Sequence, residues 1–388
     1  MLYKYDEIKT VHLEMTDACN AACPMCARNI NGGEDNPQLP GTELSIDDIK
    51  KIFTTEFIKQ LDRMYMCGNY GDPIAARDTL ETFAYFRQHN SKMMLSMHTN
   101  GSAKKPEWWA DLARTIGPKG YVVFSLDGLE DTNHLYRQNT IWSKIMENAQ
   151  AFIDAGGRAR WDYIVFAHNE HQVDQAEDLS KKMGFERFQY KKSARFFSNV
   201  SGVTKEMHQA TNRKGVATAL LQAPTNPKYR NSVIDEISKF AKGQEVVKIL
   251  PSKVADIEMY PQSFYKDPVK KKPIEKVWDE AVIKCKVAEE KSLYISAEGI
   301  VQPCCWTAGQ MYVWYHIPQS TQIWDLINQV GKDNLNAILN PLEKIVNGLF
   351  FQTLVPESWK KTSCAEGKLS ICSKICGTKY DAFSEQFK

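Results

Sequence analysis

Val11-His12-Leu13-Glu14-Met15-Thr16-Asp17-Ala18-Cys19-Asn20-Ala21-Ala22-Cys23-Pro24-Met25-Cys26-Ala27-Arg28 is a strand-like run that leads into three cysteines spaced C-x3-C-x2-C. Three thiols on one short loop can converge on a single iron-sulfur cluster, because soft thiolates are the preferred ligands of that iron. A cubane has four irons, so three local cysteines leave one iron with an open coordination position, which is what a catalytic metal needs. The competing readings are a zinc site with a fourth ligand from elsewhere, or buried cysteines acting as small hydrophobes. Zinc sites more often use C-x2-C pairs, and no second pair or histidine lies nearby to complete a tetrahedron.

From about Thr10 to about Ser193, short apolar runs alternate with segments of helical period, the pattern of repeated β-α units around a parallel sheet. The expected strands are Val11 to Met15, Met64 to Cys67, Met93 to His98, Tyr121 to Leu126, Trp161 to Phe166 and Arg187 to Tyr190. Six strands predict an α/β fold, a partial (β/α)6 TIM barrel. One expected helix, Ser45 to Leu61, opens with a cap-like Ser45 and Asp48 three residues on, and sets Ile46, Ile49, Phe53 and Phe57 on one face. The others run Arg77 to His89, Glu107 to Ile116, Ile141 to Ala155 and Val173 to Met183. In a parallel barrel the catalytic groups sit in the loops that follow the strands. The three-cysteine loop follows the first strand, where such chemistry belongs.

At 388 residues the chain is long enough for two domains, or for one barrel with an appendage. Its 43% hydrophobic and 25% charged residues are those of a soluble globular protein. A net charge of +2 is too small to argue for nucleic acid or a membrane surface. The N-terminus lacks the apolar core of a secretory signal and no apolar run reaches membrane-spanning length, so a cytoplasmic protein is expected. In a reducing compartment, ten cysteines are better explained by metal ligation than by disulfides.

The cysteine spacing resembles the signature of the radical S-adenosylmethionine (radical SAM) superfamily. That resemblance implies a 4Fe-4S cluster whose open iron is chelated by the amino and carboxylate groups of SAM. An electron from it would cleave the sulfonium and yield a 5'-deoxyadenosyl radical that abstracts hydrogen from a substrate. Further matches follow in strand order. Cys67-Gly68-Asn69-Tyr70-Gly71-Asp72-Pro73 resembles the family's Gly-Gly-Glu-Pro loop, so Gly71 and Asp72 are expected to receive the SAM ammonium group, Asp72 standing where glutamate is usual. His98-Thr99-Asn100-Gly101 is similar to the family's Thr-Asn-Gly turn, read here mainly as turn chemistry. Ser125-Leu126-Asp127-Gly128 with Arg137 resembles the Ser-x-Asp-Gly...Arg pattern of SPASM and twitch enzymes, making Ser125 and Arg137 expected SAM ligands; an arginine fork suits a carboxylate. Asp127 can instead stabilise its own turn, and Asn169 looks like the family's strand-ending asparagine.

Residues 201–283 read as a bridging segment with a solvated basic run, Lys266 to Pro273. Beyond it, Cys285 precedes and Cys304 follows two short strands around a Glu298-Gly299 turn, and Cys372 and Cys376 come much later. Four thiolates would saturate a 4Fe-4S cluster with no open iron. This resembles the twitch domain, the shortened relative of SPASM with one auxiliary cluster, whose ligand roles carry over to Cys285, Cys304, Cys372 and Cys376. Cys305 and Cys364 are extra thiols, either of which can displace one of the four. Zinc held by the same set is the alternative. The domain division is therefore 1–200 for the radical SAM core, 201–283 for the bridge and 284–388 for the auxiliary region.

The resemblance implies an oxidoreductase acting on a peptide or small-molecule substrate, the auxiliary cluster accepting an electron from the substrate radical in a dehydrogenation or cross-link. An external one-electron donor such as flavodoxin or ferredoxin would supply the first electron. The rivals are a non-catalytic iron-sulfur carrier or scaffold, and an RNA-modifying radical SAM enzyme, although no stripe of Lys and Arg interleaved with aromatics supports RNA.

Overall fold

The structure is a computed structural model and describes residues 2–196, 207–233 and 273–378. Six parallel strands follow the chain in order: β1 (Thr10–Leu13), β2 (Arg63–Met66), β3 (Met94–Thr99), β4 (Tyr121–Ser125), β5 (Ala159–Val165) and β6 (Arg187–Lys192). Each is paired in register with the next, as in Val11↔Met64, Met64↔Leu95, Met97↔Val122 and Phe124↔Trp161. Those residues point to the helix-covered face and are fully buried there. Alternate residues point the other way, and on that inner face stand His12, Tyr65, His98, Ser125, Asp162 and Lys191. The expected partial barrel is present, with an apolar outer layer and a polar interior.

The outer layer is made by α1 (Ile46–Ile52), α2 (Thr55–Gln60), α3 (Thr79–His89), α4 (Pro106–Ile116), α5 (Asn133–Tyr136), α6 (Trp142–Asp154) and α7 (Val173–Met183). Their buried stripes, such as Trp109, Leu112 and Ile116 of α4 and Ile145, Ala149 and Phe152 of α6, pack on the sheet. Ser45 and Asp48 close a reciprocal capping box, the serine hydroxyl accepting from Asp48 N at 3.2 Å and the Asp48 carboxylate from Ser45 N at 3.1 Å. The single helix expected from Ser45 to Leu61 is two. Phe53 turns extended, and Thr54 caps a new start by accepting from Phe57 N at 3.2 Å.

The C-terminal hairpin does more than staple a separate unit. Its first strand, β9 (Ser292–Ile295), lies parallel to β1 with Val11↔Leu293 in register, and β10 (Val301–Gln302) returns antiparallel, so the sheet runs β10-β9-β1-β2-β3-β4-β5-β6. Within the stretch read as a bridge, β7 (Met207–Thr211) and β8 (Ala217–Gln222) form a two-stranded hairpin. Leu221 of β8 and Ala223 just beyond it pack with Cys23, Tyr136 and Phe166. The basic run Lys266 to Lys272 lies outside the described residues. Among the described residues no helix is long and apolar enough to cross a membrane.

Candidate iron-sulfur and SAM site

The cysteine loop leaves the C-terminal end of β1 and is pinned from several sides. Asp17 accepts from Gly41 N at 2.8 Å and Thr42 N at 3.0 Å, which fixes its start. Ala18 O accepts from Asp72 N at 2.9 Å, and Ala22 N donates to Gln138 O at 3.0 Å. Arg195 Nη1 reaches Met25 O at 2.9 Å and the His208 ring meets Pro24 O at 3.0 Å. The loop is thus tied to the ends of other strands and to the β7–β8 hairpin before any ligand binds.

Its sulfurs also have partners. Asn100 Nδ2 lies 3.7 Å from Cys19 Sγ, Ala21 N is 3.4 Å from the same sulfur, and Arg137 Nη1 is 3.7 Å from Cys23 Sγ. Burial pushes the Cys19 thiol far up and the Cys23 thiol up to about 11, the neighbouring anions and thiols adding to the shift at Cys19 and Arg137 opposing it at Cys23. Bare Cys19 and Cys23 thiols stay protonated at neutral pH, and metal coordination is what deprotonates a buried thiol. Three thiols of one loop, with side-chain N–H donors aimed at two of them, have the donor chemistry of a cluster site; among the described residues no three metal-ligating side chains gather about a single ion.

Three further loop ends surround this one. After β2, Gly68 and Gly71 let the chain approach β1 closely: a Cβ on Gly71 would fall 1.8 Å from Thr16 O, and one on Gly68 would fall 2.0 Å from Gly71 O. Glu14 of the β1 edge accepts from Tyr70 N at 2.8 Å and Gly71 N at 3.0 Å, and its other oxygen takes the Tyr294 hydroxyl. Asp72 is buried, with Oδ1 accepting from Thr99 Oγ1 at 2.8 Å and Ile74 N at 3.1 Å, and Oδ2 from Asn100 N and Nδ2, each at 2.7 Å. Those four donors occupy the carboxylate's acceptor positions. Ser125 ends β4, half-buried. Arg137 is not a surface residue: its Nε meets the fully buried Asp127 at 2.6 Å. Asn169 ties β4 to β5, its Nδ2 donating to Asp127 O at 2.8 Å and Ile164 O at 3.0 Å, which is turn chemistry.

The four C-terminal cysteines expected to act together line the same cavity. An antiparallel bridge Ile283↔Gly377, with Lys284 N donating to Cys376 O at 2.9 Å, brings the segment before β9 against the helix Ser370–Cys376. Cys285, Cys304, Cys372 and Cys376 line one cavity walled by Trp306, Val355, Trp359 and Ile375. A hydrogen bond with Cys376, and then burial, push the Cys285 thiol far up. Cys305 and Cys364 do not line that cavity. Cys305 has Cys304, Cys67 and Glu14 as titratable neighbours, and Cys364 sits by Asp279, whose carboxylate accepts from Cys364 N at 2.6 Å. The two cysteine sites are joined by a short bridge: Asn69 Nδ2 donates to Cys305 O at 2.8 Å, and Tyr70 hydroxyl to Gly309 O at 3.2 Å.

Glu14 was not singled out from the sequence, though a glutamate at an inward position of a strand is a signal. Burial raises its pKa from 4.5 to about 7 against the pull of its hydrogen-bond donors. A raised acid binds more protons folded than unfolded, so its cost is absent below pH 4.5 and grows as pH rises to about 7. It then stays constant at about 3 kcal/mol. Glu14→Gln keeps an oxygen for Tyr70 and Gly71 and removes the charge. Urea midpoints compared between pH 4.5 and 7 are expected to show the variant gaining on the wild type as pH rises. Parallel pH profiles for the two proteins would rule out this role for the charge.

Residues 13–180 match the family model described as the Radical SAM superfamily. The FeMo cofactor biosynthesis protein NifB of Methanocaldococcus jannaschii is 26% identical over 102 residues, which is 25% of this chain and 33% of that protein, so the match spans about a third of the relative's length. Among solved structures, anSMEcpe with bound AdoMet superposes with a TM-score of 0.52 at 13% identity, over 97% of this chain and 92% of that one. Streptococcus suis SuiB bound to S-adenosylmethionine gives 0.49 at 16% identity, over 94% and 76%. At 13% identity the likeness to anSMEcpe speaks for the fold alone. The match to the radical SAM family model begins at the last residue of β1 and covers the three-cysteine loop and the loops after β2 to β5.

Proposed function

We propose that the chain is a radical SAM enzyme that cleaves S-adenosylmethionine reductively and oxidises a peptide or small-molecule substrate, by dehydrogenation or cross-linking. The observation that carries the reading is the trio Cys19, Cys23 and Cys26 at the mouth of the barrel, with side-chain N–H donors on two of its sulfurs. Cys19, Cys23 and Cys26 would hold a 4Fe-4S cluster, which when bound with SAM supplies a one-electron route to a 5'-deoxyadenosyl radical. The chain's own work is to orient and enclose. The Gly71-Asp72 edge receives the SAM amino group through its backbone, while Ser125 and Arg137 face its ribose and carboxylate. Arg137 is pre-oriented for this by Asp127 and keeps a planar fork for an anion.

Cys285, Cys304, Cys372 and Cys376 would hold an auxiliary 4Fe-4S cluster, a reading supported by their shared cavity. The bond from Asn69 to Cys305 O supports a short connection between the two sites. A flavodoxin or ferredoxin is the proposed electron donor, the cytoplasm the proposed compartment, and the division at 200 and 283 the proposed domain plan. Electron paramagnetic resonance of the reduced, reconstituted protein tests the reading against a simple electron carrier. Two reduced-cluster signals are expected, of which SAM alters only one. A protein whose signals are all indifferent to SAM would be a carrier.

A further inference from the structure

Asp72 and Asn100 come from the loops after β2 and β3 and are both buried beside the cysteine loop. Asp72 Oδ2 accepts from Asn100 N and from Asn100 Nδ2, each at 2.7 Å. Asn100 Oδ1 accepts from Ser102 N at 2.9 Å. Those contacts fix which end of the amide faces which neighbour, since the flipped amide would set its oxygen against a carboxylate. Nδ2 carries two protons. One goes to Asp72, and the other faces Cys19 Sγ at 3.7 Å and Asn20 Oδ1 at 3.0 Å. An iron-bound thiolate carries more charge than a thiol, so loading the site strengthens the pull of the sulfur on that shared proton.

We propose that Asn100, clamped by Asp72, is a positioning residue that donates its side-chain N–H to the Cys19 sulfur and so raises the reduction potential of the cluster held by that loop. The inference rests on the reading of the loop as a cluster site. Reduction adds negative charge spread over the sulfurs, and a fixed N–H dipole aimed at one of them stabilises the reduced form more than the oxidised one. Asp72 has a second, opposite effect, because its own charge lies near Cys19 and disfavours reduction. Variants of Asp72 mix the two contributions. Asn100 separates them.

The test uses the full chain, reconstituted anaerobically with iron and sulfide. Asn100→Ala is expected to keep the wild-type iron content while the midpoint potential of the SAM-responsive signal moves to a more negative value. Wild-type protein labelled with nitrogen-15 in its asparagine amides provides a second reading that needs no variant. Pulsed EPR of the reduced cluster is expected to detect hyperfine coupling to that label. An unmoved midpoint at full iron content, or no coupling in the labelled wild type, overturns the inference. Unchanged iron content after Cys19, Cys23 and Cys26 are replaced by alanine would instead overturn the cluster reading beneath it.

Discussion

Replacing Cys19, Cys23 and Cys26 together by alanine is expected to abolish SAM cleavage and to halve the iron content, from about eight atoms per chain to about four. The effect is large because no neighbouring thiol can substitute. Cys67 is half-buried just after β2, with its thiol pushed up to about 12 chiefly by desolvation, and the four C-terminal thiols line their own cavity. Fold should survive, since the loop is held by Asp17, Ala18, Ala22 and Met25 through backbone and side-chain bonds that the three sulfurs do not make. Iron and sulfide analysis with a SAM-cleavage assay reads both halves. Retained cleavage would remove these cysteines from the chemistry.

The second large effect is expected from Cys372→Ala combined with Cys376→Ala. Here SAM cleavage continues, uncoupled from turnover, and substrate oxidation stops. Iron again falls by about four atoms per chain, this time with the SAM-responsive signal intact. The separation follows from geometry. The helix Ser370–Cys376 supplies two of the four thiols of the C-terminal cavity, and Cys19, Cys23 and Cys26 are not among the residues lining it. Chromatography of reaction mixtures, following 5'-deoxyadenosine and modified substrate separately, distinguishes the outcomes. Unchanged product would make the C-terminal cavity structural.

Much of this arrangement was legible in the sequence because it depends on short-range pattern. The six barrel strands follow from apolar runs between helical segments, and each falls within two residues of its expected bounds. The C-x3-C-x2-C loop sits where a parallel barrel puts its chemistry. Cys285, Cys304, Cys372 and Cys376 line one cavity, and Cys305 and Cys364 are not among its lining residues.

What escaped was set by contacts between distant segments. The turn at Phe53-Thr54 splits an otherwise continuous apolar stripe, and only the capping threonine marks it. The pairing of β9 with β1 joins residues about 280 apart and leaves no local signature. Asn100 reads as a turn residue by itself; its approach to Cys19 depends on a carboxylate from another loop. Asp72 likewise looks like a ligand-facing acid until Thr99, Ile74 and Asn100 are seen to occupy its oxygens. The polar inner face, with Asp162 paired to Lys191 at 2.5 Å, was present as alternation inside the apolar strands. A charged residue at every second position of a barrel strand marks a lumen rather than a core.

The most direct test of the account uses the unaltered chain. After anaerobic loading with iron and sulfide, dithionite and SAM are added without any substrate, and the products are separated. Formation of 5'-deoxyadenosine together with methionine is the predicted result. A protein carrying its full complement of iron that returns SAM unchanged would contradict it.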